Sequence, residues 1–229
     1  MDIQHPFAAI VDYGLGNLHS VQQACTYVGL TSVITNSKQV LLSADAVILP
    51  GVGAYGDAMQ ELHRLDLAEV LLDLARSEKP LVGICLGLQL LMTESYEFGH
   101  HRGLGIIEGP VVRFDMPKED GKILKIPHVN WNSILHTPHN ACWDKTLLSR
   151  VKSGTFMYFV HSYTVQPRDA KIILSTTEYG DAQFCSSIGY ENIFACQFHP
   201  ERSGPEGIKI YHNLKKLIQE QGCRNHEER

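Results

Sequence analysis

The sequence predicts an α/β fold: a doubly wound, mostly parallel sheet flanked by helices, with an antiparallel β extension. Three observations carry that expectation. Apolar strands alternate with amphipathic helices through the first half of the chain. Those strands are continuous apolar runs, the pattern of strands covered on both faces. From residue 106 to residue 197, strand signals then displace helical ones.

In chain order, Phe7–Val11 reads as a strand, and residues 12–17 as the turn that follows it. Residues 18–28 read as a helix with Val21, Ala24, Cys25 and Val28 on one face and Gly29 as its stop. A short strand is expected at 32–35 and a buried one at 46–49. Residues 57–76 read as one helix whose apolar positions are Met59, Leu62, Leu67, Val70, Leu71 and Leu74. A fourth strand follows at 81–84 and a helix at 86–93. In the second half, strands are expected at 111–114, 156–165, 171–177 and 193–198, all extending the same sheet. A helix at 206–219 closes the chain, and the polar tail from residue 222 reads as frayed.

No repeat, low-complexity tract or linker rich in Pro, Gly or Ser interrupts the 229 residues. A single domain, 1–229, is expected, with an ordered core over about residues 5–221. The net charge of −5 gives no reason to expect nucleic acid or an anionic membrane as partner. No apolar run is long enough to span a bilayer, and the first ten residues lack the pattern of a secretory signal. Six cysteines with no CxxC pair point to a reduced, cytoplasmic protein.

The sharpest local signal is Leu81-Val82-Gly83-Ile84-Cys85-Leu86-Gly87. A buried strand ends in a cysteine with glycines two residues to either side, and a helix begins at once. This is a nucleophile elbow with sulfur in place of oxygen. The positive end of the helix favours thiolate over thiol, and its free amides, Leu86 first, suit an oxyanion. A thiolate nucleophile needs a base, and the base an orienting group. His199-Pro200-Glu201 offers both, with the two side chains facing the same way along an extended segment. Taken alone, such a pair at a strand end reads as a solvated surface pair. Pro50-Gly51-Val52-Gly53 follows a buried strand and can present the Val52 or Gly53 amide to the same oxyanion; alone it is an ordinary turn.

His136, His139 and Cys142, spaced three apart, and His100-His101 are residue types that zinc prefers. They lack a fourth partner, and no metal is expected. Residues 12–17 lack the third glycine of a dinucleotide-binding loop, and no cofactor is expected.

Several segments, in order, resemble the class I (triad) glutamine amidotransferases. They are Val11-Asp12-Tyr13-Gly14, Leu49-Pro50-Gly51-Val52-Gly53-Ala54, Gly83-Ile84-Cys85-Leu86-Gly87, Ile126-Pro127-His128, Phe159-Val160-His161-Ser162-Tyr163 and Gln197-Phe198-His199-Pro200-Glu201. The opening turn, Trp131-Asn132 and the segment at 159–163 resemble more closely the glutaminase subunits that pair with a HisF-type cyclase. The resemblance implies that Cys85 attacks the side-chain amide of glutamine. His199 would act as base and then acid, and Glu201 would orient it. Val52, Gly53 and Leu86 would form the oxyanion hole. Gly51, Gln89, Glu97, Ser162 and Tyr163 would hold the glutamine. Asp12, Asn17, Trp131, Asn132 and Arg202 would face the cyclase, in a heterodimer that makes imidazole glycerol phosphate and an aminoimidazole carboxamide ribotide for histidine synthesis. Asn130 and Arg202 depart from the usual pattern, which has glycine and often lysine there. Two alternatives use the same residues: a subunit that feeds ammonia to a surface-sugar-modifying partner, and a stand-alone cysteine γ-glutamyl hydrolase.

Overall fold

The computed structural model describes residues 6–227. The first half comprises β1 (Phe7–Val11), α1 (Leu18–Tyr27), β2 (Thr31–Thr35), α2 (Lys38–Ser43), β3 (Ala46–Gly51), α3 (Tyr55–Arg64), α4 (Leu67–Ala75), β4 (Leu81–Cys85) and α5 (Leu86–Leu90). The second comprises β5 (Met92–Ser95), β6 (His101–Arg102), β7 (Ile107–Arg113), β8 (Lys118–Glu119), β9 (Lys122–Ile123), β10 (His128–His136), β11 (Thr155–His161), β12 (Tyr163–Val165), β13 (Ile173–Tyr179), β14 (Ala182–Tyr190), β15 (Ile193–Cys196) and α6 (Gly204–Glu227).

Among the described residues the main sheet has nine strands in the order β11-β10-β13-β14-β15-β4-β3-β1-β2. From β15 to β2 every neighbour is parallel; from β15 to β11 every neighbour is antiparallel. The parallel half is buried on both sides because its side chains alternate between two cores. Ala9, Val11, Val47, Leu49 and Leu81 pack with α3, α4 and α5. Ala8, Ile10, Ala46, Ile48, Val82 and Ile84 pack with α1, α6 and the Trp143, Leu147 and Leu148 cluster.

Five expectations need correction. The helix expected over 57–76 is two helices, split at Asp66, which takes the left-handed conformation (φ 51°). Leu65 caps the end of α3 and packs against the core, and Asp66 opens α4. The helix expected over 86–93 ends at Leu90, because Met92 pairs with Ile107 of β7. The strand expected over 156–165 divides at Ser162: β11 pairs with β10 in the main sheet, while β12 pairs with β7. The segment at 111–114 therefore does not extend the main sheet; it lies in a second, four-stranded sheet, β12-β7-β5-β6. Finally, α6 runs on to Glu227, through the tail expected to fray.

Where the antiparallel half meets the parallel half, aromatic rings fill the core. Phe114, Phe159 and Phe184 surround His128 and His161, both histidines being buried. Burial lowers the pKa of His128 to about 4 and that of His161 to about 3. An unfolded histidine takes its proton near 6.5, so between about pH 6.5 and pH 3 the unfolded chain holds more protons than the folded one. Stability should therefore fall as pH drops below about 6.5 and level out near pH 3, by on the order of 3 kcal/mol per ring. Denaturant melts across that range check it. His128→Phe should flatten the slope, and an unchanged slope would contradict the assignment.

Candidate active site

Cys85 closes β4 and α5 starts at the next residue. Cys85 is held at φ 56°, ψ −106°, a conformation that costs a residue with a Cβ about 1–3 kcal/mol. The flanking glycines follow from crowding. A Cβ on Gly83 would stand 2.9 Å from that of Ala195, and one on Gly87 only 1.8 Å from the Leu49 carbonyl oxygen. Cys85 is buried, 6% exposed as a residue.

Gly51, the last residue of β3, pairs in register with Cys85. Beyond it Val52 is half-buried and Gly53 takes φ 110°. The turn is braced from below by Tyr13, whose buried hydroxyl donates to the Pro50 carbonyl at 2.8 Å. That hydroxyl also fills the space of a Gly51 Cβ, 2.3 Å away. Burial, and then the negative charge of Cys85, push the Tyr13 hydroxyl far above its usual range, so it stays a donor.

His199 follows β15 and faces Cys85. Its Nδ1 lies 2.8 Å from Glu201 Oε1, with the two side chains 2% and 1% exposed. The extended segment expected for this pair is instead one turn of 3-10 helix at Pro200–Arg202, and the contact is made across that turn. Ser203 locks the turn by donating to the His199 carbonyl at 2.7 Å and accepting from the Tyr158 amide at 2.9 Å. His199 Nε2 is buried and has no hydrogen-bond partner within normal contact distance, although Cys85 lies close enough to perturb the ring. Burial alone would lower the pKa of the ring. The neighbouring Cys85 and the Glu201 carboxylate outweigh it and raise the value to about 10, so the ring is held as the imidazolium.

Gln89 projects from α5 and donates to the Tyr163 carbonyl and to Gln197 Oε1, both at 3.0 Å. Ser162 and Tyr163 sit where the chain crosses from one sheet to the other, so Gln89, Ser162, Tyr163 and Cys85 converge. Glu97, in the loop after β5, accepts from the Tyr55 amide at 2.6 Å at the start of α3. Burial foremost raises its pKa. Two residues of this site were absent from the sequence reading. Tyr13 passed there as part of the opening turn. Gln197 went unassigned although it is a lone polar side chain in an apolar strand; its Nε2 donates to Cys85 Sγ at 3.6 Å.

The residues read as partner-facing divide in two. Asp12 accepts from the Gly14 amide two residues on, within its own exposed turn, and Asn17 heads α1 with no capping bond from its side chain. Trp131 is exposed and edge-on to Tyr158, over which the Arg202 guanidinium lies at 5.5 Å. Asn132 is spent within the chain, donating to the Glu178 carbonyl at 2.7 Å. Exposed Val129 and Phe156 share the Trp131 face of the β10–β11 hairpin. His136 packs against Trp143, and among the described residues no three metal-binding side chains converge.

The fold and this arrangement define a class: α/β proteins that carry a cysteine on a strand-to-helix elbow beside a buried histidine–glutamate pair. Known proteins narrow it. Residues 9–216 match the family described as glutamine amidotransferase class-I. The subunit HisH of imidazole glycerol phosphate synthase from Aquifex aeolicus is 44% identical over 90% of this chain and 95% of its own. That from Syntrophotalea carbinolica is 46% identical over 90% and 97%. Among solved structures, PurLQS from Thermotoga maritima shares the fold with a TM-score of 0.70 at 19% identity, covering 93% of this chain and 99% of that one. The chain belongs to the class I glutamine amidotransferases, a glutaminase family, and within them to the HisH subunits of imidazole glycerol phosphate synthase.

The elbow's packing yields a sharp expectation. Gly87→Ala should cost more than about 3 kcal/mol, because the colliding atom is backbone that has no room to move. Denaturant unfolding checks it; a loss under 1 kcal/mol would mean the elbow is far less tightly packed than described.

Proposed function

We propose that Cys85, His199 and Glu201 are the catalytic triad of this glutaminase. The reading rests above all on one observation: a buried cysteine on a positive-φ elbow with a buried imidazole–carboxylate pair turned toward it. In the proposed reaction Sγ attacks the side-chain carbonyl carbon of glutamine. The C–N bond breaks as His199 gives its proton to the departing ammonia, leaving a glutamyl thioester. Water, deprotonated by His199, attacks the thioester; the C–S bond breaks, glutamate leaves and the thiolate returns. Glu201 keeps the imidazole oriented through its Nδ1. The Val52 or Gly53 amide and that of Leu86 receive the oxyanion, while Gly51, Gln89, Glu97, Ser162 and Tyr163 hold the amino-acid end of the substrate.

The ammonia acceptor on this reading is a HisF-type cyclase docked over Trp131 and Arg202, beside the loop of Asp12 and Asn17. Support comes from the exposed apolar face of the β10–β11 hairpin, with Val129, Trp131 and Phe156 together. The chain is read as one catalytic domain working in the cytoplasm. Its cysteines Cys25, Cys85, Cys142, Cys185 and Cys196 are free, and among the described residues no helix is long and apolar enough to cross a membrane.

Cys85→Ala should abolish ammonia release from glutamine while leaving partner binding intact, and His199→Asn should slow release by about a thousandfold or more. Ammonia assays with calorimetric titration of the cyclase check both; measurable glutaminase in Cys85→Ala removes Cys85 from its role. Adding a HisF-type cyclase should raise glutamine hydrolysis by at least tenfold, on the order of a typical coupling free energy. A rate that does not respond would point to the stand-alone hydrolase.

A further inference from the structure

A hydrogen-bond chain reaches the sulfur through Gln197, and its polarity follows from one atom. The Tyr163 backbone carbonyl oxygen can only accept. It is met by Gln89 Nε2 at 3.0 Å and by His161 Nδ1 at 2.9 Å, so both are donors. The second Gln89 N–H then donates to Gln197, which must present Oε1, at 3.0 Å. That leaves the Gln197 amide nitrogen facing Cys85 Sγ, at 3.6 Å, with no freedom to flip. On the other branch, His161 carries its proton on Nδ1, so its Nε2 accepts from His128 Nδ1 at 3.2 Å. His128, His161, Gln89 and Gln197 are all buried, which keeps water from competing for these bonds.

Building on the triad assignment above, we infer that Gln197 is a further catalytic residue. It donates an N–H bond to the Cys85 sulfur, which stabilises the attacking thiolate and the same thiolate when it leaves the thioester. Gln89 is the positioning residue that fixes this donor, and its own Oε1 is left to accept from the α-ammonium of the substrate. A donor aimed at an anion is the strong kind of hydrogen bond. A buried side-chain amide loses nothing by waiting for the charge, since its orientation is already set. The titratable groups around the sulfur are Tyr13 from the loop after β1, Cys196 on β15 and the His199–Glu201 pair. None of them can replace an N–H donor on the Gln197 side.

The test is the pH profile of Cys85 alkylation by iodoacetamide, followed by peptide mapping in the full-length protein. Gln197→Leu keeps the volume and removes the donor; its alkylation midpoint should rise by about one pH unit. Gln197→Glu puts a carboxylate beside the sulfur and should raise the midpoint further. Gln89→Leu releases the Gln197 amide to flip and should give a smaller rise in the same direction. Far-UV circular dichroism and thermal melts separate these effects from misfolding. Midpoints unchanged in variants that still melt cooperatively would overturn the role of Gln197 while leaving the triad standing. Cys85 unlabelled in the unsubstituted protein, by iodoacetamide and by the glutamine-mimicking alkylator acivicin alike, would overturn the triad itself.

Discussion

One steric demand organises the molecule: Cys85 has to stand in a backbone conformation that side chains avoid, in a slot with almost no free space. The slot exists because β3, β4 and β15 run side by side and α5 starts at the next residue after the cysteine. Every small residue around it follows from that. Gly83 lets Ala195 come close, Gly87 lets α5 rest on the Leu49 carbonyl, and Gly51 makes room for the Tyr13 hydroxyl. Strain of this kind persists only where the surroundings over-determine it. Here they do so through a sheet buried on both faces.

The electrostatics are layered onto that geometry. A cation, a carboxylate and a sulfur lie together out of water, an arrangement that is unfavourable unless each charge finds its complement. Glu201 supplies one for His199 through Nδ1, and the sulfur supplies the other. The contrast with His128 and His161 is instructive. They are as deeply buried but face rings and a carbonyl oxygen, and burial keeps them neutral. Identical, equally buried side chains of one fold thus have opposite charge states, and the difference is set by whether an anion lies within reach.

Much of this was legible in the amino-acid string. The parallel half was readable because strands covered on both sides must be apolar throughout, and 46–49 and 81–84 are. The elbow was readable because only glycine tolerates the two close approaches around Cys85. What escaped was decided by distant parts of the chain. Nothing local says that Met92 would rather pair with Ile107 than continue a helix, or that Ser162 marks a change of sheet. The break at Asp66 was equally silent, because Leu62, Leu65 and Leu67 keep an apolar side chain every two or three residues across it. In the site, Tyr13 and Gln197 were hidden for one reason. Their importance lies in what their polar atoms touch across the fold, Pro50 and Cys85, and spacing along a sequence carries no such information.

The order of the sheet has a bearing on how the protein comes into being. β15 is inserted between β14 and β4, so it alone bridges the two halves, and it delivers His199 to a cysteine synthesised more than a hundred residues earlier. Until residues 193–201 have left the ribosome, β4 exposes an unpaired edge and Cys85 stands without His199. That open edge is the point at which the growing chain is most vulnerable to aggregation.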